Sequence, residues 1–216
     1  SSSNIKGFEV YPVMGTEDYY EPAFEIRHAD GNPTSVLSYV SHEQKAVEGG
    51  TETIIRLKDK LYPVNVTLHY VAYPQENIIK QWSEISHQEK ANITISRYAS
   101  SMLYLEDAKY YLNEFSGDWA KEMQIKSNEL NYGKKIVDTR LGSRTNMFVE
   151  PFFEVGLGGK VRENEGKVIM GTIGWTGNYR FTFEVDHNNA LRIISGINPD
   201  ASAYTLKKGQ VFRTPD

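Results

Sequence analysis

The feature that most constrains this chain is a two-residue alternation of β-branched or aromatic side chains with polar ones. It is clearest where Val64, Val66, Leu68 and Tyr70 interleave with Asn65, Thr67 and His69. Successive side chains of a strand point to opposite faces, so such a run offers one apolar face and one wet face. The pattern returns at Phe24 and Ile26, at Thr53, Ile55 and Leu57, and at Phe181, Phe183 and Val185. Strands are also expected at Ile78–Ile85, Ile93–Tyr98 and Ala190–Ser195. Spacings of roughly 10–15 residues, with no helical stretch between, predict an all-β, antiparallel β-sandwich.

Turn chemistry suggests the connections. Ala29–Pro33 carries Asp-Gly and Asn-Pro, and is expected to join Pro22–His28 to Ser35–Ser41 as a hairpin. A second hairpin is expected between Val168–Gly174 and Tyr179–Asp186. Trp175, Thr176, Gly177 and Asn178 would form its turn, with Gly174 and Gly177 supplying backbone freedom. Short strands are expected at Phe115–Met123, Ile136–Arg140 and Phe148–Val155, and a last one between Leu206 and Phe212. Gly156–Gly159 and Arg162–Gly166 read as loops.

No Pro/Gly/Ser-rich linker divides the 216 residues, so a single domain over 1–216 is expected. The net charge of −4, with no long basic run, argues against nucleic acid. No apolar run approaches the ~20 residues of a membrane span, so no membrane partner is expected. Cysteine is absent, which removes disulfides, thiolate chemistry and Cys-based zinc sites. The five His residues lie on separate segments without ligand spacing, so neither metal nor cofactor is expected. Asn65-Val-Thr67 and Asn92-Ile-Thr94 match the glycosylation triplet, which is common by chance.

Trp82 sits in an alternating strand and reads as core or sheet surface. Trp119 and Trp175 stand among Gly, Asp and Asn, the setting in which a ring covers the C–H face of a sugar while polar neighbours take its hydroxyls. Burial against loops is the other reading of both rings. Arg140 and Arg144 flank Gly142 and could clamp a carboxylate across an interface, or simply order the loop. Asn178 can bond locally or to a ligand.

Five segments in order carry a family resemblance: Gly117-Asp-Trp-Ala-Lys-Glu122, Arg140-Leu-Gly142 leading to Pro151-Phe152, Trp175-Thr-Gly-Asn-Tyr179, Gly196-Ile-Asn-Pro199, and Lys208-Gly-Gln-Val-Phe-Arg-Thr-Pro-Asp216. They resemble the N-terminal domain of the retaining α-galactosidases of glycoside hydrolase family 36. The resemblance implies a supersandwich, galactose mutarotase-like in style. It makes this chain a fragment preceding a (β/α)8 catalytic barrel absent from it. The parent would be a soluble enzyme, cytoplasmic or periplasmic, that hydrolyses terminal α-linked galactosides by double displacement, using two Asp in the barrel. Neither barrel motif occurs here, so the chain alone is expected to be inactive. Its implied roles are to shape the active-site entrance, pack on the barrel and aid homo-oligomerisation. The implied partners are therefore the barrel of the same polypeptide and, through the parent, α-galactoside oligosaccharides.

The substrate or barrel-interface candidates are Trp119, Arg140, Arg144, Asn146, Trp175, Asn178 and Asn198. Two departures stand out: the family's Ser-Ser-His ahead of Asn-Pro-Phe is replaced by Arg144–Glu150, and little precedes Tyr11. Two other readings stay open, a free-standing lectin-like sandwich using Trp119 and Trp175, and a purely structural interaction domain.

Overall fold

The structure, a computed structural model, describes residues 11–14, 20–144 and 148–216. Its strands, numbered along the chain, begin with β1 (Phe24–Arg27), β2 (Leu37–Val47), β3 (Gly50–Asp59), β4 (Val64–Tyr73) and β5 (Ile78–His87). Then come β6 (Ile93–Glu106), β7 (Tyr110–Asp118), β8 (Lys121–Leu130), β9 (Gly133–Asp138) and β10 (Val149–Arg162). The last are β11 (Glu165–Thr172), β12 (Tyr179–Val185), β13 (Ala190–Ile197), β14 (Tyr204–Leu206) and β15 (Val211–Arg213). A 3-10 turn at Gly142–Arg144 is the sole helical element among the described residues, and no helix is long and apolar enough to cross a membrane.

Three sheets form. The central one has the order β1-β6-β13-β12-β9, with β14 also paired to β6. A five-stranded sheet runs β15-β5-β4-β3-β2, and a four-stranded one β11-β10-β7-β8. Every ladder between named strands is antiparallel, as the alternation requires.

The central sheet is buried from both faces, and the period of two explains how. On β13, Leu191 and Ile193 enter one core while Ile194 enters the other. The first core lies against the five-stranded sheet, where Val64, Val66, Leu68 and Ile85 meet Phe24, Ile26, Ile93 and Ile95. The second lies against the four-stranded sheet, where Tyr110, Leu112, Phe153 and Val155 meet Phe181, Phe183 and Val185. Phe153 sets its edge against Phe181 and Phe183, both at 5.0 Å between ring centres, the arrangement ring quadrupoles favour. Each such fully buried side chain contributes roughly 1.5–3 kcal/mol.

Both expected hairpins are absent, for one reason. β1 pairs with β6 and β2 with β3, so the Asp30-Gly31 turn sends the chain from one sheet to another. Likewise β11 pairs with β10, whereas β12 lies between β13 and β9. β2 and β11 are exposed along most of their length and suit sheet edges, while β12 buries even Thr182 and needs a neighbour on each side. The Trp175 turn is therefore a crossover between sheets.

Phe115–Met123 is two strands, β7 and β8, joined at Trp119-Ala120. Gly156–Gly159 lies inside β10 at an irregularity, where a Cβ on Gly156 would sit 2.4 Å from the Gly159 carbonyl oxygen. Leu206–Phe212 splits into β14 and β15, which join different sheets.

Candidate functional site

Strand registers collect one set of loops at one end of the molecule. β12 begins at Tyr179, opposite Ile197 at the end of β13, and Arg180 faces Asp138 at the end of β9. The segments that follow β9 and β13 therefore flank the Trp175 crossover. β10 begins at Val149, opposite Ser116 near the end of β7, and its Phe152 faces Thr172 at the end of β11. The Trp119 tip and the Trp175 crossover thus share one rim. The chain end reaches it too, since Gly174 N–H donates to the Asp216 carbonyl at 2.8 Å.

Under this rim lies a buried polar frame. Asn198, only 1% exposed, donates from Nδ2 to the Thr139 carbonyl at 3.1 Å and to Asp138 Oδ2 at 3.2 Å. Its Oδ1 accepts from Asp200 N–H at 3.0 Å, and its own N–H donates to the Asn178 carbonyl at 2.9 Å. Asn178 Oδ1 accepts from Gly142 N–H at 2.6 Å, which fixes the 3-10 turn. Arg180 bridges Asp138 at 2.9 Å and Asp200 at 2.8 Å, and Arg140 also pairs with Asp200. The Tyr179 hydroxyl donates to the Val149 carbonyl at 2.8 Å and ties the start of β10 to β12. Burial, with the Glu150 and Asp138 carboxylates nearby, holds that phenol well above its usual range, so it stays a donor.

The frame presents apolar side chains to water. Trp119 at the β7–β8 tip is 94% exposed and Trp175 is 40% exposed, with Leu141 and Phe148 exposed as well. Trp175 lies over Gly177, where a Cβ would come within 2.5 Å of the indole Nε1. Gly177 is needed for that close approach rather than for unusual dihedrals, since neither Gly174 nor Gly177 has a positive φ.

Of the expected site residues, Arg140, Asn178 and Asn198 meet in the frame and spend their polar groups within it. Trp175 and Trp119 stand on the rim through different loops. Arg144 is exposed, with no ion pair to it among the described residues, and Asn146 lies outside those residues. Arg180, Asp138 and Asp200 were missed by sequence reasoning. Sequence separations of 42 and 20 residues hide the pairing, and only Arg180's place on a strand whose other even residues are polar hinted at it.

Trp82 lies on the outer face of the five-stranded sheet, stacked on His69 at 4.6 Å with the Arg213 guanidinium 4.6 Å from its ring centre. Its ring is occupied, and it offers no platform. His69 in turn bonds Glu52 at 2.7 Å, and His28 bonds Glu89 at 2.7 Å in the interior. No group of three or more His, Cys, Asp or Glu able to hold a metal occurs among the described residues.

Comparisons with known proteins give this geometry its context. The family described as glycosyl hydrolase family 36 N-terminal domain matches residues 2–207. The chain is 26% identical to alpha-galactosidase AgaA of Geobacillus stearothermophilus over 95% of its own length and 30% of the relative's. It is likewise 26% identical to alpha-galactosidase 2 of Hypocrea jecorina, over 95% of the chain and 29% of that protein. The crystal structure of the Geobacillus enzyme superposes with a TM-score of 0.88 at 25% identity, covering 95% of this chain and 30% of the other. Doubly substituted variants of that enzyme have been solved with stachyose and with raffinose. The chain thus spans about 30% of the length of the relatives it matches. With its three antiparallel sheets, its crossover at Trp175 and a match along nearly its whole length, the chain belongs to the family of glycosyl hydrolase family 36 N-terminal domains.

Proposed function

We propose that the chain is a single, non-catalytic β-sandwich domain of an α-galactosidase, set ahead of a (β/α)8 catalytic barrel. The rim packs on that barrel and borders the entrance to its sugar site. The parent enzyme hydrolyses terminal α-linked galactosides with retention, and its copies associate through surfaces such as this one. It is a soluble protein of the cytoplasm or periplasm.

The observation that carries this reading is the rim, where Trp119, Leu141, Phe148 and Trp175 are held out to water on a braced frame. Large apolar groups gathered at one end mark a docking edge. Bracing lets them bind without a large ordering cost. The acids point the same way. Retaining hydrolysis needs two carboxyl groups facing each other across the scissile bond at ~5 Å. At the rim, Asp138 and Asp200 are both spent on one guanidinium. The stachyose and raffinose bound in substituted variants of the Geobacillus enzyme support the substrate class.

The test uses Trp119→Ala and Trp175→Ala in two settings. In the longer polypeptide they should lower turnover of raffinose by at least about tenfold, worth ~1.4 kcal/mol, or impair assembly. The isolated chain should keep its fold. Full activity and assembly in both variants would remove the reading.

A further inference from the structure

At the end of the molecule opposite the rim lies an open bowl of about 450 Å³, lined by Tyr132, Val185, Asp186, His187 and Asn189. β12 runs from Tyr179 on the rim to Val185 on the bowl floor. Its rise of ~3.3 Å per residue separates the two by about 20 Å. Sequence reasoning singled out none of these five residues as a site.

The walls are built rather than loose. Asp186 Oδ1 accepts from the N–H groups of Asn188 at 2.8 Å and Ala190 at 2.9 Å. Asn189 Nδ2 donates to the carbonyls of Asp107 at 2.9 Å and Ala108 at 3.2 Å, while the Asn189 carbonyl accepts from the Tyr110 hydroxyl at 2.9 Å. His187 Nδ1 shares a hydrogen bond of 2.9 Å with the Tyr20 hydroxyl, and the Arg192 guanidinium lies 3.9 Å from the centre of the Tyr20 ring. Tyr132 stands on the β8–β9 turn beside Gly133, whose φ is +123°, and is 78% exposed.

These bonds leave a defined set of groups without a protein partner among the described residues. They are the second carboxylate oxygen of Asp186, Oδ1 of Asn189 and Nε2 of His187, beside the open face of the Tyr132 ring. An aromatic face with acceptors and an imidazole nitrogen around it matches a ring that has C–H groups on one side and hydroxyls at its edge. The Asp186 carboxylate and the chain's net charge of −4 disfavour an anion.

We propose that this bowl binds a neutral saccharide at a site separate from the rim, with Tyr132 as the stacking platform and Asp186, His187 and Asn189 holding hydroxyls. None of its residues lies on the rim, while the choice of galactosides as probes rests on the α-galactosidase reading.

Isothermal titration of the 216-residue chain with raffinose and with methyl α-galactoside tests it. A single shallow bowl should give a Kd of about 1 mM for at least one of them. Tyr132→Ala should weaken binding at least about tenfold and Tyr132→Phe should leave it within about twofold, since the ring rather than the hydroxyl does the work. His187→Ala should weaken it about threefold through one lost hydrogen bond. Trp119→Ala and Trp175→Ala should leave it unchanged, so failure here and failure of the rim reading are separable. Absence of saturation by either sugar at about fifty times that Kd would overturn the proposal. So would binding that survives Tyr132→Ala, or tighter binding of tetramethylammonium, which would make the bowl a cation site.

Discussion

Asn198→Ala should unfold the rim's support while touching nothing on its surface. The side chain is 1% exposed and makes three hydrogen bonds. Their losses are unequal. Asp138 keeps Arg180, and the N–H of exposed Asp200 can turn to water, so each of these bonds costs about 0.5–1 kcal/mol. Thr139 is buried, and Asn198 Nδ2 is the side-chain donor to its carbonyl. An orphaned buried acceptor costs ~1–3 kcal/mol. The sum is about 2–5 kcal/mol. In urea, with a slope of about 3 kcal/mol/M for a chain of this size, the midpoint should fall by roughly 0.7–1.7 M. Urea melts followed by tryptophan fluorescence measure it directly. Asn198→Asp should retain the acceptor for Asp200 but set a second carboxylate against Asp138, so its penalty should shrink on acidification. A midpoint shift for Asn198→Ala corresponding to less than about 0.5 kcal/mol would refute the frame as a supporting structure.

Other outcomes follow from the same packing. Gly171→Ala places a Cβ 2.4 Å from Phe153 Cζ, in a ring cluster that cannot yield, and should cost ~2–3 kcal/mol by thermal melt. Gly177→Ala meets the partly exposed Trp175 indole, which can swing aside, so it should cost about 1 kcal/mol while changing the near-UV circular dichroism. Trp119→Ala should leave the isolated chain's stability within about 0.5 kcal/mol, because the ring is in water. Acid should destabilise the fold through Glu21, Glu52 and Asp216. Burial raises Glu21 and Asp216, but Lys134 with Arg97, and Lys80 with Arg213, outweigh it and leave both below their ordinary values; hydrogen bonds from His69 and Lys45 lower Glu52. A depressed carboxylate contributes stability that is present above its unfolded value and lost as pH falls through its folded one. The melting temperature should therefore drop below about pH 4. Glu21→Gln should flatten that drop, and an unaltered acid limb in this variant would count against Glu21 as a contributor.

How far the fold was legible depended on the range of the contact. Val64–Tyr70 and Phe181–Val185 announced their buried faces, because period two is a local property. Pairing is not local. Asp30-Gly31 and the Trp175 turn both read as hairpins, yet each carries the chain into another sheet. The clue was burial on both faces of β12, where Thr182 looks polar in sequence and is buried in the structure. The rim shows the same divide. Trp119 and Trp175 were visible as large rings in polar turns. The roles of Asn178 and Asn198 were not, since their partners Gly142, Thr139 and Asp138 lie 36, 59 and 60 residues away. The Tyr132 bowl was invisible because its lining comes from two turns more than 50 residues apart, Tyr132 between β8 and β9 and Val185–Asn189 at the junction of β12 and β13.

The most direct measurement is hydrolysis of an aryl α-galactoside by the purified 216-residue chain at high protein concentration. The expected result is release of the aryl alcohol no faster than in buffer, because this domain does not carry the chemistry. Turnover above the blank that disappears when one of the chain's own carboxylates is changed, as in Asp138→Asn or Asp200→Asn, would contradict it.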